Sequence, residues 1–215
     1  MQNAGAGFAM DTLGRIQRVE DLRSIWTTEH GHFTPWLAKL ENLELLGEAL
    51  GIDLELEAIE KDVGPFSADI LCKNTAENDS WVVIENQLER TDHRHLGQLL
   101  VYASGLQANT AVWISAEMSD EHRAALDGLN HMANKSVRFF RLEIELWKIG
   151  SSPVAPRFNV VCKPNGWERT ISDAKDSLTE GELKPATHVA KLICYSRGRS
   201  NSLFRPIETS GQTRT

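Results

Sequence analysis

The alternation of apolar and polar residues along the chain predicts β-strands in six segments. Two of them alternate with a period of two residues, as half-exposed strands do, and three are short apolar runs that indicate buried strands. The last follows Pro153 and Pro156 and is typical of a strand at a sheet edge. In chain order the six segments are 52–59, 67–72, 81–84, 110–115, 137–149 and 157–162.

Apolar residues at helical spacing predict three helices between these strands. The first begins with Thr34 as N-cap and Pro35 in the first turn, and it ends at Gly51, with a break near residue 42 left open. The others cover 93–106, capped by Thr91 or Asp92, and 121–132, capped by Asp120.

Because strands and helices interleave, we predict an α/β protein whose mixed β-sheet is flanked by helices. The strand 81–84 should pair antiparallel with 67–72 across the hairpin loop 73–79, and parallel with 110–115 across the second helix. The expected domain is 18–167. It is preceded by a flexible segment, 1–17, and followed by a disordered or truncated tail, 168–215, where periodicity is lost and Ser, Thr, Gly and Arg are frequent.

Charged and amide side chains interrupt two of the apolar strands. Glu85, Asn86 and Gln87 follow one apolar run, and Asp69 interrupts another. A buried carboxylate is costly unless it has a partner or a metal. Antiparallel pairing can bring Asp69 and Glu85 together, and we expect their carboxylates to lie about 4–6 Å apart, with Gln87 on the same side as Glu85.

The helix after this strand carries Gln98 and Tyr102, which are four residues apart and therefore share a face. A strand with an acidic pair, a capped helix and a Gln-x-x-x-Tyr motif together resemble the PD-(D/E)XK nuclease superfamily, within it the RecB-like branch. The phrases FTPWL, VGPFSADI, IENQLERTDHRHLGQ and SPVAPRF are similar to an uncharacterised bacterial family with this nuclease-like core. The resemblance implies a restriction-endonuclease-like core.

The resemblance also implies a chemistry for particular residues. Asp69 and Glu85 match the carboxylates that bind Mg²⁺ or Mn²⁺, with Glu60 as a further ligand. Gln87 stands in the catalytic position usually held by lysine, which supplies a positive charge that an amide lacks. The residues expected to bind substrate are Gln98 and Tyr102 of the motif and, from their place in the chain just before it, His95, Arg90 and Arg94. The alternatives are that Gln98 and Tyr102 are hydrogen-bonded core residues and that 89–95 is a solvated loop and first helical turn. An accessory carboxylate from the first helix would be Glu41, Glu44 or Glu48, or these form a solvated face.

Two function classes follow. The first is a Mg²⁺-dependent endonuclease or exonuclease that hydrolyses phosphodiester bonds, with DNA as the expected partner. The second is a catalytically inactive relative that binds nucleic acid or a protein, which the glutamine in the lysine position favours. A homodimer is left open. His93 and His95 form a His-x-His motif, which without a third ligand is a weak indication of zinc.

Composition limits these classes in three ways. Net charge is −7, which argues against a surface covered with phosphate-binding lysines. No run of about 18 apolar residues is present, so we expect no membrane span. Three scattered cysteines lack the spacing of a zinc site and are simplest to explain in a reducing cytoplasm.

Overall fold

The computed structural model describes residues 13–63, 66–133 and 137–167, and within them the strands form one mixed sheet. The order across the sheet is β1-β6-β5-β4-β3-β2, and β7 pairs with β6 in addition. The strands are β1 (Ile16–Val19), β2 (Leu54–Val63), β3 (Phe66–Asn74), β4 (Ser80–Arg90), β5 (Thr110–Glu117), β6 (Arg138–Ile149) and β7 (Ala155–Cys162).

The pairing directions divide the sheet into two parts. Strands β2, β3 and β4 form an antiparallel meander, whereas β4, β5 and β6 are parallel to one another. Parallel neighbours need a crossover, which α3 and α4 provide. The helices are α1 (Thr34–Leu37), α2 (Leu40–Leu50), α3 (His93–Gly105) and α4 (Asp120–Met132). The predicted α/β class, with a mixed sheet flanked by helices, is confirmed.

A buried apolar cluster fixes the position of α3 on the sheet. Leu99, Tyr102 and Ala103 of this helix pack with Val83 of β4 and Trp113 of β5. Tyr102 and Trp113 are fully buried, as expected for large aromatic residues in a core. The packing holds the Gln-x-x-x-Tyr face of α3 over the middle of the sheet.

The N-caps of two helices differ from the prediction. Thr34 does not act as an N-cap, because a π-helical turn, Glu29–Phe33, precedes α1 and the buried Thr34 hydroxyl instead contacts the side chain of Asn86. The N-cap of α4 is Ser119 rather than Asp120. The prediction of Asp92 as the cap of α3 is confirmed, since its side chain accepts from the backbone N–H of His95.

The predicted domain boundary at residue 18 falls inside β1, whose first residue, Ile16, pairs with Ile149 of β6. The rest of the predicted flexible segment, 1–12, and the predicted tail, 168–215, lie outside the described residues. Within the described part of the chain, every helix is too short or too polar to cross a membrane.

Candidate active site

Strands β3 and β4 bring Asp69 and Glu85 to the same face of the sheet. Ile70 pairs with Ile84 in the antiparallel register, so the next step of that register sets residue 69 across from residue 85. At this position the side chain of Asp69 bonds the neighbouring strand: its Oδ2 accepts from the backbone N–H of Asn86 at 2.8 Å. Glu85 is 4% exposed. A polar site therefore begins where the ladder of main-chain bonds between the two strands ends.

The two carboxyl groups resist ionisation together. Burial, and next to it the charge on Asp69, raises the pKa of Glu85 well above its usual range. Burial also raises the pKa of Asp69, although the backbone bond from Asn86 and the charge on His95 oppose the rise. Like charges at close range disfavour the doubly ionised state, so the pair holds a proton or needs a cation.

One carboxylate oxygen of this pair in particular indicates a cation site. Glu85 Oε2 is buried and has no hydrogen-bond partner among the described residues. A buried carboxylate oxygen without a donor is costly, and Mg²⁺ binds such oxygens. Mg²⁺ commonly takes one or two carboxylates and completes its shell with water and phosphate oxygens. The donor set of Asp69 and Glu85 therefore fits Mg²⁺ or Mn²⁺.

The same donor set does not form a complete protein cage for a metal. Within residues 13–63, 66–133 and 137–167, no three His, Cys, Asp or Glu side chains converge in an arrangement that could hold a metal ion. A closed structural zinc site would need four such ligands. The histidine motif has a different explanation: His93 bonds His122 at 2.8 Å, and His122 bonds Thr91 and Ser119.

Glu29 is a third carboxylate whose charge acts on the pair, and sequence reasoning missed it. Its charge raises the pKa of both Asp69 and Glu85. Its Oε1 accepts from the backbone N–H of Leu88 at 2.7 Å and from Arg23 at 3.3 Å, which ties the π-helical turn to β4. No periodic pattern marks such a turn. The predicted accessory carboxylates lie on α2 instead and are exposed: Glu41, Glu44 and Glu48.

Glu60 pairs with His30, a histidine whose charge acts on Asp69. Its Oε1 lies 2.6 Å from His30 Nδ1, and the charge on His30 in turn lowers the pKa of Asp69. Glu60 also has a backbone φ of 54°, in the left-handed region, which interrupts the regular geometry of β2. Its role as a direct metal ligand stays a prediction.

Gln87 is buried with both ends of its amide bonded. Its Oε1 accepts from Trp113 Nε1 at 3.0 Å, and its Nε2 donates to the carbonyl of Arg90 at 2.8 Å. Alternation along β4 gives Gln87 and Glu85 the same face of the strand. Gln87 thus links the end of β4 to Trp113 of β5, and its amide brings no positive charge to the carboxylates.

A hydrogen bond joins the two polar residues of the Gln-x-x-x-Tyr face of α3. Gln98 Nε2 donates to the Tyr102 hydroxyl at 3.1 Å. Burial, followed by the charge on Glu85, raises the pKa of Tyr102, and Asp69 acts in the same direction. The charges of both carboxylates therefore act on the Tyr102 hydroxyl.

The predicted basic residues differ in whether their charges act on the two carboxylates. The charge on Arg94 lowers the pKa of Glu85, and the charge on His95 lowers that of Asp69. Arg90 is exposed and lies 3.9 Å from Glu117. The charges of Arg94 and His95 therefore act on the carboxylates, whereas Arg90 lies beside Glu117 at the end of β4.

Comparison with known proteins gives partial structural similarity only. No protein-family model and no curated protein matches the chain. A repair endonuclease from Pyrococcus abyssi aligns with a TM-score of 0.37 and 16% identity, over 49% of this chain and 46% of that one. An EndoMS–dsDNA2 complex aligns with a TM-score of 0.35 and 17% identity, over 49% and 44%.

A third solved structure, the type IIG restriction endonuclease BpuSI, aligns with a TM-score of 0.26 and 18% identity, over 81% of this chain and 20% of that one. The chain thus spans less than half of the length of the first two structures and a fifth of the third. Because these TM-scores are low, a functional assignment has to come from the residues of the site.

Proposed function

We propose that the protein is a divalent-metal-dependent nuclease that hydrolyses phosphodiester bonds in DNA. The observation that carries this proposal is the buried Glu85, whose Oε2 has no partner among the described residues and whose neighbour across the sheet is Asp69. Without a cation this arrangement only destabilises the fold. A bound Mg²⁺ or Mn²⁺ would convert it into a centre that activates water and stabilises charge on a phosphate.

The surrounding residues support phosphate as the ligand of that centre. Asp69 and Glu85 would hold the cation, with Glu29 adding negative charge nearby. Arg94 adds positive charge beside the carboxylates, where a phosphate oxygen would need it. Helix α3 follows the third strand of the β2-β3-β4 meander and carries Gln98 and Tyr102, which agrees with the nuclease resemblance of the sequence.

The test is cleavage by the purified full chain. Labelled single-stranded and double-stranded DNA of mixed sequence are incubated with Mg²⁺, with Mn²⁺ or with EDTA, and the products are separated on denaturing gels. We expect cleavage that requires the divalent ion, with circular DNA distinguishing an endonuclease from an exonuclease. No cleavage of any substrate with either ion would overturn the enzyme proposal.

One observation favours a second candidate, a non-catalytic module that binds nucleic acid. Gln87 occupies the lysine position, and its amide is bonded at both ends to Trp113 and to the carbonyl of Arg90. Fluorescence anisotropy with the same labelled DNA separates the candidates. Binding without cleavage, in the presence of Mn²⁺, would favour the module.

Arg94→Gln should weaken DNA binding, and Arg90→Gln is its matched control. Both arginines are exposed and lie close together in the chain. The charge on Arg94 lowers the pKa of Glu85, whereas Arg90 lies next to Glu117. We expect Arg94→Gln to raise the Kd about 5–10-fold in low salt and Arg90→Gln to change it less than about 2-fold. Anisotropy titrations measure both. An equal increase in Kd for the two variants would contradict a special role of Arg94 in DNA binding.

A further inference from the structure

Asp92 and His95 form a hydrogen-bonded pair in the first turn of α3. Asp92 Oδ1 accepts from the backbone N–H of His95 at 2.8 Å, and the same oxygen lies 2.8 Å from the ring Nδ1 of His95. The first contact is an ordinary helix cap. The second contact is not needed for capping, and it fixes the orientation of the imidazole ring.

The contact with Asp92 also selects the tautomer of His95. Burial acts in the opposite direction, but bonds from the backbone and the ring of His95 lower the pKa of Asp92 below its usual value, so its carboxylate is ionised. An ionised carboxylate only accepts hydrogen bonds, and the Nδ1 of His95 therefore carries the proton. The lone pair of the neutral ring is then on Nε2, as in the histidine of a Ser-His-Asp triad.

The position of His95 on α3 places it on the same face as Gln98 and Tyr102. It precedes Gln98 by three residues and Tyr102 by seven, so the three side chains lie along one face of the helix. The charge on His95 also lowers the pKa of Asp69, which agrees with this placement. The His95 side chain is 21% exposed, which leaves it in contact with solvent. It combines a ring held by Asp92, a place on the helix face that carries Gln98 and Tyr102, and access to water.

We infer that His95 is the general base of the hydrolysis and that Asp92 is the residue that positions it. This inference rests on the proposed nuclease function and assigns the proton transfer within it. A separate group is needed because the residue in the lysine position, Gln87, has an amide that is engaged at both ends and has no basic atom.

Hydrolysis forms one phosphorus–oxygen bond and breaks another. An electron pair of the attacking water oxygen forms the new bond to phosphorus, and one proton of that water passes to His95 Nε2. The bond from phosphorus to the leaving sugar oxygen breaks, and its electron pair stays on that oxygen, which takes a proton from solvent. His95 then returns its proton to solvent, and the imidazole is restored. Asp92 stabilises the imidazolium while it exists.

The first test is a kinetic comparison of His95→Gln and Asp92→Asn with the wild type in Mg²⁺. We expect His95→Gln to lower kcat about 10²–10⁴-fold and to leave KM within about 2-fold. Asp92→Asn keeps a good helix cap, because asparagine is also a favoured N-cap residue. It should still lower kcat roughly 10–100-fold, since an amide no longer enforces the tautomer. His131→Gln, a change at an exposed histidine of α4, serves as the control.

Two further measurements do not depend on turnover. Anisotropy with Ca²⁺ in place of Mg²⁺ should give the same Kd for DNA in the wild type and in His95→Gln. ¹⁵N NMR of the metal-free protein should show His95 protonated at Nδ1 in the wild type, and a mixture of tautomers in Asp92→Asn.

The outcomes separate this inference from the proposed function. A wild type that cleaves DNA, together with an unchanged kcat in His95→Gln, would overturn the base assignment and leave the nuclease standing. A loss that is confined to KM and Kd would make His95 a phosphate contact and would overturn the assignment as well. Protonation at Nε2 in the wild type would refute the positioning role of Asp92. A wild type that is inert on all substrates would overturn both proposals.

Discussion

Asp69→Asn and Glu85→Gln should each abolish divalent-dependent DNA cleavage, with losses of at least about 10²–10³-fold. Each change removes one negative charge from the pair that would hold the cation, and it leaves a side chain of nearly the same shape. Asp69→Asn also keeps an oxygen that can accept from the backbone N–H of Asn86. We therefore expect a folded protein without activity, and cleavage rates in Mg²⁺ and Mn²⁺ measure the loss.

Glu57→Gln is the control for this pair. Glu57 lies on the neighbouring strand β2, is exposed, and is 3.2 Å from Lys73 rather than near the carboxylates. The Glu57→Gln variant should cleave DNA at the wild-type rate within about 2-fold, because a surface ion pair contributes little to stability. Wild-type activity in Asp69→Asn or in Glu85→Gln would refute the assignment of the site.

Glu85→Gln should make the metal-free protein more stable at neutral pH, although it removes activity. Burial and the charge on Asp69 disfavour the ionised form of Glu85 in the folded state. A neutral amide does not carry this penalty. We expect a gain of about 2 kcal/mol, equivalent to roughly 4–8 °C in Tm for a chain of this size, in thermal unfolding with EDTA present.

The same penalty makes the stability of the metal-free wild type depend on pH. Both Asp69 and Glu85 have a folded pKa above the unfolded value, so the folded state binds more protons than the unfolded state. Their contribution to stability is fully present below the unfolded pKa and is lost as pH rises through the raised folded values. The stability of Glu85→Gln should fall less steeply across that window. Mg²⁺ should restore stability to the wild type at high pH and not to the variant.

Glu145→Gln is the matched control for stability. Glu145 is also a buried glutamate on a central strand, but its Oε2 accepts from Trp147 Nε1 at 2.9 Å and lies 3.8 Å from Arg157. Because its charge has partners, removing it should not raise the Tm. A Tm for Glu85→Gln at or below that of the wild type in EDTA would mean that Glu85 is not held under electrostatic strain.

Local sequence patterns were sufficient to predict the part of the site that lies on regular elements. The apolar run at Trp81 predicted β4, and alternation along it assigned Glu85 to one face. The short hairpin loop made antiparallel pairing with β3 the simplest arrangement, and its register sets residue 69 across from residue 85. Helical spacing and the cap at Asp92 likewise predicted α3.

The remainder of the site depends on contacts between residues distant in sequence, which no local pattern contains. The charge on Glu29 acts on the carboxylates from a π-helical turn, and that turn has neither the period of a helix nor that of a strand. The partner of Gln87 is Trp113, on the next parallel strand. Thr34 has the sequence context of a helix cap, yet it is buried against Asn86 because the preceding turn already leads into the helix.

The central claim is that Asp69 and Glu85 bind a divalent cation, and anomalous diffraction from crystals soaked in Mn²⁺ tests it most directly. In the wild type we predict a Mn²⁺ peak in contact with oxygens of both carboxylates, including Glu85 Oε2. The peak should vanish in Asp69→Asn crystals soaked in the same way. A wild-type map without a peak between these two residues, at a Mn²⁺ concentration that supports cleavage or DNA binding, would contradict the account.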